Sequence, residues 1–311
     1  MHRDVEELIG RTSTFVYPVS NGASLFLKLE KENAGGSMKS RTAKHLLSVA
    51  EKEGRIHSGG TVIDCSSGSY GIGLAMLAAA KGYKCICVVA DDTPPQIISE
   101  IRAYGASLIE CPVPANQDSH EVLHAKATEI TRIESNIYYL DQFHSQKNAE
   151  SYLPLVQEIK RDIGDQIDGI IGYLGTGGSV GGTATFLKKE IKHLQAIGVQ
   201  YGNADTNDAN EDVSEFQGVD CIDSVTLPDS YNTVRTIARR MGILLGPSSG
   251  AVILAALRRI EIDAQQRIVA LLCDGGERYL DTIHSDEWME DFHLHDADVV
   301  NYIERMSKFS R

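Results

Sequence analysis

The stretch TVIDCSSGSYGIGLAMLAAAKGYKCICVVA, residues 61–90, decides the fold class of this chain. Residues 61–65 form a short apolar run typical of a buried strand, and a glycine-rich turn follows it. Residues 72–81 are rich in alanine and stop at Gly82, which predicts a helix with a glycine at its carboxyl end. Residues 84–89 indicate a second buried strand. The stretch therefore predicts a strand–helix–strand unit with parallel strands.

The same alternation continues along the chain. Pro94-Pro95 opens a predicted helix that runs to Tyr104, where Gly105 ends it. Further strands are predicted at 107–110, 169–172 and 268–273, and a further helix at 183–192. We expect an α/β protein with parallel-rich twisted sheets flanked by helices. The 311 residues are enough for more than one domain core.

Composition and charge restrict the partners. The formal net charge is -13, and an acidic surface repels nucleic-acid phosphates and anionic lipid. No signal peptide is indicated by Met1–Glu7 and no apolar run is long enough to span a bilayer, so we expect a cytoplasmic protein. The cysteines lie mostly in apolar runs, which is typical of small buried residues in a reducing compartment. Cys85 and Cys87 are expected on opposite faces of their strand, which argues against joint metal binding.

Two predicted strands run directly into glycine-rich turns that open helices. The turns are Cys65–Gly71 and Gly175–Gly182. Glycine lets the backbone approach a ligand, and a helix N-terminus offers unpaired N–H groups with partial positive charge. Each turn is a candidate anion site, and the second is dense enough in Gly, Ser and Thr to hold a phosphate. The alternative is a tight strand–helix connection in each case. A dinucleotide site is disfavoured because neither turn has the G-x-G-x-x-G spacing.

Lys39 follows Asn33-Ala34-Gly35-Gly36-Ser37-Met38 and precedes a helical pattern from Thr42 to Glu53. The start of a helix is an unfavourable place for a cation, because the helix dipole repels it there. The same placement lowers the pKa of an amine, which a Schiff-base lysine requires. A solvated surface lysine is the alternative interpretation.

In combination these segments resemble the fold-type-II pyridoxal-phosphate (PLP) enzymes, the family of cysteine synthase and cystathionine β-synthase. The resemblance spans nearly the whole chain in order. Its segments are Glu7–Thr12, Lys28–Glu30 with Asn33–Arg41, Ser66–Gly71, Gln142-Phe143, Gly175–Ser179, Gly246–Gly250 and Asp274–Tyr279.

The resemblance implies a cofactor, PLP, bound between two domains, with a role for each segment. Lys39 would carry PLP as a Schiff base and move the substrate α-proton. The phosphate would be bound by Gly175, Thr176, Gly177, Gly178 and Ser179, and the ring nitrogen by Ser248. A serine hydroxyl keeps the ring a weaker electron sink than a carboxylate would, which suits β-elimination. The predicted substrate-binding residues are Ser66, Ser67, Gly68, Ser69, Tyr70, Gln142 and Tyr152.

The chain departs from the commonest family pattern at several positions. Ala34 replaces a proline, Ser40 an aspartate, and Ser69 and Tyr70 replace an asparagine and a threonine. The asparagine reaches both cofactor and substrate in the family, so Ser69 is assigned here to cofactor and substrate alike. The lysine segment and the tail Arg278–Trp288 resemble the siderophore-pathway enzymes that join O-phosphoserine and glutamate for 2,3-diaminopropionate synthesis. Tyr152 falls where that branch has an active-site tyrosine; a core position is the equal alternative.

We therefore expect β-replacement on O-phosphoserine or O-acetylserine through an aminoacrylate, with an amino acid such as L-glutamate as nucleophile. The alternatives are cysteine synthase, serine/threonine dehydratase and a non-catalytic regulatory relative. The expected domains are a smaller mobile one at 36–137 and a larger PLP-binding one at 1–35 plus 138–311. The family implies a homodimer acting on small amino acids. No metal is expected, and His293-Leu294-His295 is interpreted as solvated tail.

Overall fold

The computed structural model describes residues 3–134, 136–202 and 213–309. The strands are β1 Thr14–Tyr17, β2 Ser24–Leu29, β3 Thr61–Cys65, β4 Lys84–Ala90, β5 Ser107–Cys111, β6 Ile137–Tyr139, β7 Gly169–Tyr173, β8 Gln195–Tyr201, β9 Cys221–Val225 and β10 Arg267–Leu272. The helices are α1 Lys39–Lys52, α2 Ser69–Lys81, α3 Pro95–Ala103, α4 Ser119–Ile133, α5 Leu153–Ile163, α6 Val180–Leu187, α7 Leu227–Met241, α8 Pro247–Ile262, α9 Asp286–Asp291 and α10 Ala297–Met306. Short 3-10 helices occur at Val5–Leu8, Glu30–Glu32, Ala149–Tyr152, Val213–Glu215 and Glu277–Tyr279.

These elements form two compact units, and the predicted α/β class is confirmed. The first unit comprises Met1–Gly10 and Asn33–Ser151, and the second Arg11–Glu32 and Tyr152–Arg311. The first unit is thus wider than the segment 36–137 expected from the sequence. It includes the N-terminal segment, where the Ala34 N–H donates to the Leu8 carbonyl. It also includes the segment after β6, because β6 pairs with β3 in the sheet of this unit. Within the described residues, no helix combines the length and apolar character needed to cross a membrane.

The first unit is built on a parallel sheet with strand order β5-β4-β3-β6. Successive residues of β3 face opposite sides of the sheet. Val62 packs among residues of α1 and α2, whereas Ile63 packs against Leu123 of α4. Helices therefore cover both faces, as parallel sheets require. Because β3 and β6 are parallel neighbours, the chain segments that follow them leave the sheet at the same edge.

Cys85 and Cys87 correct one expectation within this sheet. Residues two apart along a strand share a face, and their sulfur atoms lie 3.8 Å apart on β4. Both thiols are buried, so they fill the core beside α2 as the sequence predicted.

The second unit contains a sheet with order β1-β2-β10-β7-β8-β9, parallel apart from the β1–β2 pair. Its core is centred on α8, whose residues from Ala251 to Leu257 are almost completely buried. Strands β7 and β10 are parallel neighbours, so the turn after β7 and the segment after β10 lie at one edge of this sheet. An isolated bridge between Leu245 and Gly275 joins the start of α8 to that edge.

Helix boundaries differ from the sequence pattern at the glycine turns. Helix α2 begins at Ser69, inside the turn, rather than at residue 72, and α6 runs from 180 to 187 rather than from 183 to 192. Glycine, serine and tyrosine at the start of α2 carry no apolar periodicity, so the pattern did not mark the first turn.

A buried carboxylate lies where β3 ends. Asp64 is 1% exposed, and it accepts hydrogen bonds from the Tyr70 hydroxyl at 2.8 Å, the Cys65 N–H at 2.8 Å and the Gln142 N–H at 3.2 Å. It therefore connects the turn after β3 to the segment after β6. Burial raises the pKa of Asp64 from 3.8 to about 7, although all three hydrogen bonds act to lower it. Burial also raises the pKa of Tyr70 well above its ordinary value, so its hydroxyl remains a donor.

The sign of the resulting pH dependence follows from this raised pKa. In the unfolded chain Asp64 ionises near 3.9, whereas in the folded protein it binds its proton up to about pH 7. The contribution of Asp64 to stability is fully present below the unfolded pKa and is lost as pH rises through 7. The Tyr70 hydroxyl opposes this loss, because it stabilises the charged carboxylate.

We predict that Tyr70→Phe lowers the thermal midpoint, and more at pH 8 than at pH 6. A hydrogen bond to a charged group contributes about 1.5–3 kcal/mol and one to a neutral group about 1 kcal/mol. For a chain of this length the corresponding fall in the thermal midpoint at pH 8 is about 2–5 °C. Circular-dichroism melts at the two pH values measure it. Tyr83→Phe is the matched control, since the Tyr83 hydroxyl also donates to a carboxylate, that of Glu51 at 2.9 Å, but near the surface. If Tyr70→Phe lowers the thermal midpoint equally at both pH values, the role given to Asp64 is contradicted.

Candidate active site

Lys39 is the first residue of α1, as the position of the glycine segment predicted. Its N–H donates to the Ser37 hydroxyl at 3.2 Å, and Met38 at the N-cap supplies no side-chain cap. The Lys39 Nζ donates to Oε1 of Gln142 at 3.2 Å. An amine therefore lies at the start of a helix, where the dipole disfavours its charge, and contacts a buried amide.

The first turn of α1 packs closely against α2. A Cβ atom added to Gly73 would stand 3.1 Å from Cα of Ser40, and one added to Gly35 would stand 2.7 Å from its Oγ. Ser40 itself is completely buried. An aspartate at this position would have no space and would bury a charge, which accounts for the serine found there. The close approach brings the N-termini of α1 and α2 side by side.

The turn Ser66–Gly71 is held by its own serines. The Ser66 hydroxyl accepts from the Gly71 N–H at 2.9 Å, and the Ser67 hydroxyl accepts from the Ala90 N–H at 2.9 Å, which ties the turn to the end of β4. Gly68 is extended and forms the N-cap of α2 without a side-chain hydrogen bond, and Ser69 follows as the first helical residue. The small residues Gly68 and Ser69 therefore leave a ligand close access to the backbone N–H groups at the start of this thirteen-residue helix. Such a helix start is suited to binding a carboxylate.

Gln142 is fixed in place from both sides of its peptide. Its N–H donates to Asp64, and its carbonyl accepts from Nδ2 of Asn148 at 3.0 Å. The side chain is 2% exposed, and its amide oxygen accepts from Lys39. In the first unit, therefore, the structure brings Lys39 and Gln142 into contact and places the Ser66–Gly71 turn at the same edge of the sheet.

The two predicted tyrosines lie elsewhere. The Tyr70 side chain is 2% exposed in the core with α1 and α2, and its hydroxyl is directed to Asp64. The expectation that this side chain meets substrate is corrected, because it supports the turn from the core. Tyr152 is completely buried immediately before α5, which agrees with the core alternative.

In the second unit the turn after β7 carries the predicted phosphate-binding residues Gly175, Thr176, Gly177, Gly178 and Ser179. Gly177 has a φ of +71°, and a Cβ atom there would stand 2.8 Å from the Phe216 ring. Both the backbone conformation and the space therefore require glycine. Gly175 is exposed, with open space around its Cβ position. The turn leads directly into α6, and the N–H groups of Gly181 and Gly182 donate to the carbonyls of Gly177 and Gly178, so the helical hydrogen bonds already begin within the turn.

Ser248 is the second residue of α8, after the N-cap Gly246 and Pro247. The Gly246 N–H donates to the Asp274 carbonyl at 3.1 Å, which fixes this helix start to the segment after β10. Because β10 is the neighbour of β7, Ser248 and the turn 175–179 lie at the same edge of one sheet. Ser248 is partly exposed, so its hydroxyl is available to a ligand.

Sequence reasoning missed Asp64 and His120. An acidic residue inside an apolar strand is a signal of a special role, because charged residues are rarely buried without partners. The ring of His120 packs against that of Phe143, with the centroids 3.8 Å apart and the ring planes tilted by 42°. Burial lowers the pKa of His120, and the positive charge of Lys39 lowers it further against the opposing carboxylate of Asp118. His120 thus lies in the field of Lys39, and only folding brings them together.

The donor set fits PLP. The cofactor has an aldehyde, a phosphate dianion and a pyridine nitrogen, and these require an amine, an anion-binding turn and a hydrogen-bond donor. Lys39 would supply the amine and Ser248 the hydroxyl. The turn 175–179 would supply the anion site, because it opens a helix and leaves no space for a side chain on Gly177 beside Phe216.

Comparison with known proteins gives a family for which PLP is the cofactor. The family model of the pyridoxal-phosphate-dependent enzymes matches residues 5–213. A putative cysteine synthase of Sinorhizobium fredii is 34% identical over 310 residues, covering 93% of this chain and 92% of the relative. Among solved structures, the O-acetylserine-dependent cystathionine β-synthase of Helicobacter pylori has a TM-score of 0.82 at 27% identity, covering 91% of this chain and 98% of that one. An O-ureido-L-serine synthase has a TM-score of 0.81 at 26% identity, covering 96% and 98%.

A relative that matches over almost its full length, together with a family model that spans most of the chain, leaves little of the sequence outside the resemblance. The chain belongs to the pyridoxal-phosphate-dependent enzymes, in the fold-type-II group of cysteine synthase and cystathionine β-synthase.

Proposed function

We propose that this enzyme replaces the β-substituent of an O-activated L-serine, with Lys39 as the Schiff-base lysine. The observation that carries the proposal is the 3.2 Å contact between the Lys39 Nζ and Gln142 Oε1. A substrate whose α-carboxylate is bound by Gln142 and by Ser66, Ser67 and Ser69 would present its α-carbon to this amine. The turn 175–179 then binds the cofactor phosphate and Ser248 the ring nitrogen.

When bound, PLP withdraws electrons from the substrate α-carbon and so makes the α-proton and the β-substituent easier to remove. The Lys39 Nζ accepts the α-proton. Gln142 and the N–H groups at the start of α2 hold the carboxylate, which fixes the direction of the α-C–H bond towards Lys39. Ser248 offers a neutral hydroxyl to the ring nitrogen, which favours loss of the β-substituent over transamination.

We propose O-phosphoserine as the donor, with O-acetylserine second, and an amino acid amine, glutamate first, as the nucleophile. The support is the likeness of Gly35–Lys39 and of Arg278–Trp288 to the diaminopropionate branch. Because Tyr70 is in the core, Ser69 alone changes the chemistry of the substrate turn. Its side chain is shorter than asparagine, which leaves more space above the turn for the incoming amino acid.

Cysteine synthase is the second candidate, since it is favoured by the relative from Sinorhizobium fredii, which carries that description. Sulfide would then be the nucleophile. We propose a homodimer for either candidate.

We predict that Lys39→Ala removes the visible absorption of the bound cofactor and reduces turnover by at least about 10⁴-fold. The reason is that the variant has no amine to bind the aldehyde or to move the α-proton. Absorption spectra and steady-state rates measure the two effects. Lys52→Ala, at the exposed end of the same helix, is the control and keeps both. An unchanged spectrum in Lys39→Ala would refute the assignment.

We predict that Gly175→Asp weakens PLP binding at least about 10-fold relative to Gly175→Asn. Residue 175 has open space for a side chain, so both variants fit, and they differ only in a negative charge beside the proposed phosphate. Titration of each apoprotein with PLP measures the dissociation constants. Equal constants would show that the phosphate is bound elsewhere. Gly177 is unsuitable for this test, because any side chain there meets Phe216.

We predict that O-phosphoserine with glutamate gives an adduct of the two amino acid skeletons, detected by mass. Each donor, O-phosphoserine and O-acetylserine, is paired in turn with glutamate, cysteine and sulfide. Reactions without nucleophile test for pyruvate, the product of a dehydratase. Efficient cysteine formation without a glutamate adduct would replace the first candidate by cysteine synthase and leave the assignment of Lys39 intact.

A further inference from the structure

Two histidines and an aspartate lie together on the first unit, outside the residues assigned to PLP and substrate. His124 is on α4, and Asp141 and His144 are in the segment that follows β6. One ligand atom from each residue lies within 4.8 Å of the ligand atoms of the other two. Within the described ranges, these three residues form a group of His, Cys, Asp or Glu side chains that is close enough together to hold a metal ion.

The distances suit a small cation. Nδ1 of His144 lies 2.9 Å from Oδ1 of Asp141, and Nδ1 of His124 lies 3.6 Å from the same oxygen. In a tetrahedral site with ligand bonds of 2.0–2.1 Å, two ligand atoms are about 3.3 Å apart. The observed separations lie on either side of this value. Rotations of side chains alone can therefore bring the three groups onto one ion.

The ligand-bearing residues are held by the fold. Asp141 has a φ of +53°, and its carbonyl accepts from the Ser145 N–H at 3.0 Å, which closes the turn that carries His144. The Tyr139 hydroxyl lies 2.9 Å from Nδ1 of His124, the same nitrogen that lies 3.6 Å from Asp141 Oδ1, so an ion bound there takes the place of this hydrogen bond. The side chains of His124, Asp141 and His144 are 31%, 28% and 52% exposed, so an ion can enter and keep a water ligand.

We propose that His124, Asp141 and His144 bind one divalent transition-metal ion of the zinc type. Two imidazoles and one carboxylate are borderline and hard ligands that suit zinc, nickel or copper, and they do not suit calcium or magnesium, which prefer oxygen alone. No motif in the sequence indicates this site, because the three residues are spread over 21 positions. It is distinct from the His293-Leu294-His295 tail.

The site flanks a residue of the proposed active centre. Gln142 lies between the ligands Asp141 and His144, and its side chain contacts Lys39. An ion that joins both flanking residues to α4 restricts the segment that positions Gln142. Metal occupancy therefore pre-organises the substrate-carboxylate site, and it lowers KM for the donor without contributing a group to the chemistry. This coupling rests on the proposed function, whereas metal binding itself does not.

The binding test is calorimetric titration of the holoenzyme with zinc chloride after treatment with a chelator. The expected result is one site that is weakened at least about 10-fold in His124→Ala, His144→Ala and Asp141→Asn. Asparagine tolerates the positive φ of residue 141, so that variant keeps the turn. The matched control is His193→Ala, because His193 also lies beside an aspartate, Asp168 at 3.7 Å, but on the other unit. Melting curves confirm that each variant is folded. Equal zinc affinity in the wild type and the three variants, or no binding by the wild type, overturns the site.

The coupling test measures KM for the donor with and without saturating zinc. The expected result is a KM at least about three-fold lower with zinc in the wild type and in His193→Ala, and no change in His144→Ala. Activity of His144→Ala without metal stays at the wild-type level, since its side chain touches no assigned residue of the chemistry. If the wild type binds zinc but its KM for the donor is the same with and without zinc, the coupling is overturned and the metal site itself still stands. A wild type that binds zinc but has no β-replacement activity overturns the proposed function instead.

Discussion

The buried carboxylate of Asp64 is the interaction on which the first unit's functional surface depends. It lies at the end of β3 and receives hydrogen bonds from the turn that follows this strand and from the segment that follows β6. Removing this carboxylate would leave three buried donors without an acceptor, and an unsatisfied buried group is destabilising by about 1–3 kcal/mol. Burial of the charged carboxylate is itself unfavourable, which is why the pKa of Asp64 is raised to about 7. This cost is offset because the one carboxylate holds two segments of the chain in place.

Parallel strands place most of the residues assigned to the chemistry. In each unit two neighbouring parallel strands end side by side, β3 with β6 and β7 with β10. Residues far apart in sequence, such as Gly175 and Ser248, therefore come to the same edge of one sheet. Close packing of α1 on α2 at Ser40 and Gly73 adds Lys39 to the edge of the first unit. This is the usual place for ligands in open parallel sheets.

The enzyme and the proposed metal site share one segment. Residues 141–144 carry Gln142, which contacts Lys39, between two metal-binding candidates that face α4. Along these four residues the proposed substrate-binding residue, Gln142, lies in the middle, and the proposed metal ligands, Asp141 and His144, lie at the ends. When bound, PLP would supply the electronic part of the reaction, so the chain's own contribution is the position of the reacting groups. A metal ion bound as proposed would act on that contribution by restricting the segment.

The sequence by itself determined the α/β class, the family and the position of Lys39 at a helix start, because apolar periodicity, glycines and short motifs are local properties. It also predicted that each of two strands runs into a glycine-rich turn that opens a helix. It could not place Tyr70, which looked like a substrate contact beside Ser69 and lies in the core, since the direction of a side chain depends on how α2 packs. Nor could it join Asp64 to Gln142, or His124 to Asp141 and His144. Those contacts link residues 3 to 78 positions apart, and only strand order and helix packing decide which of them meet.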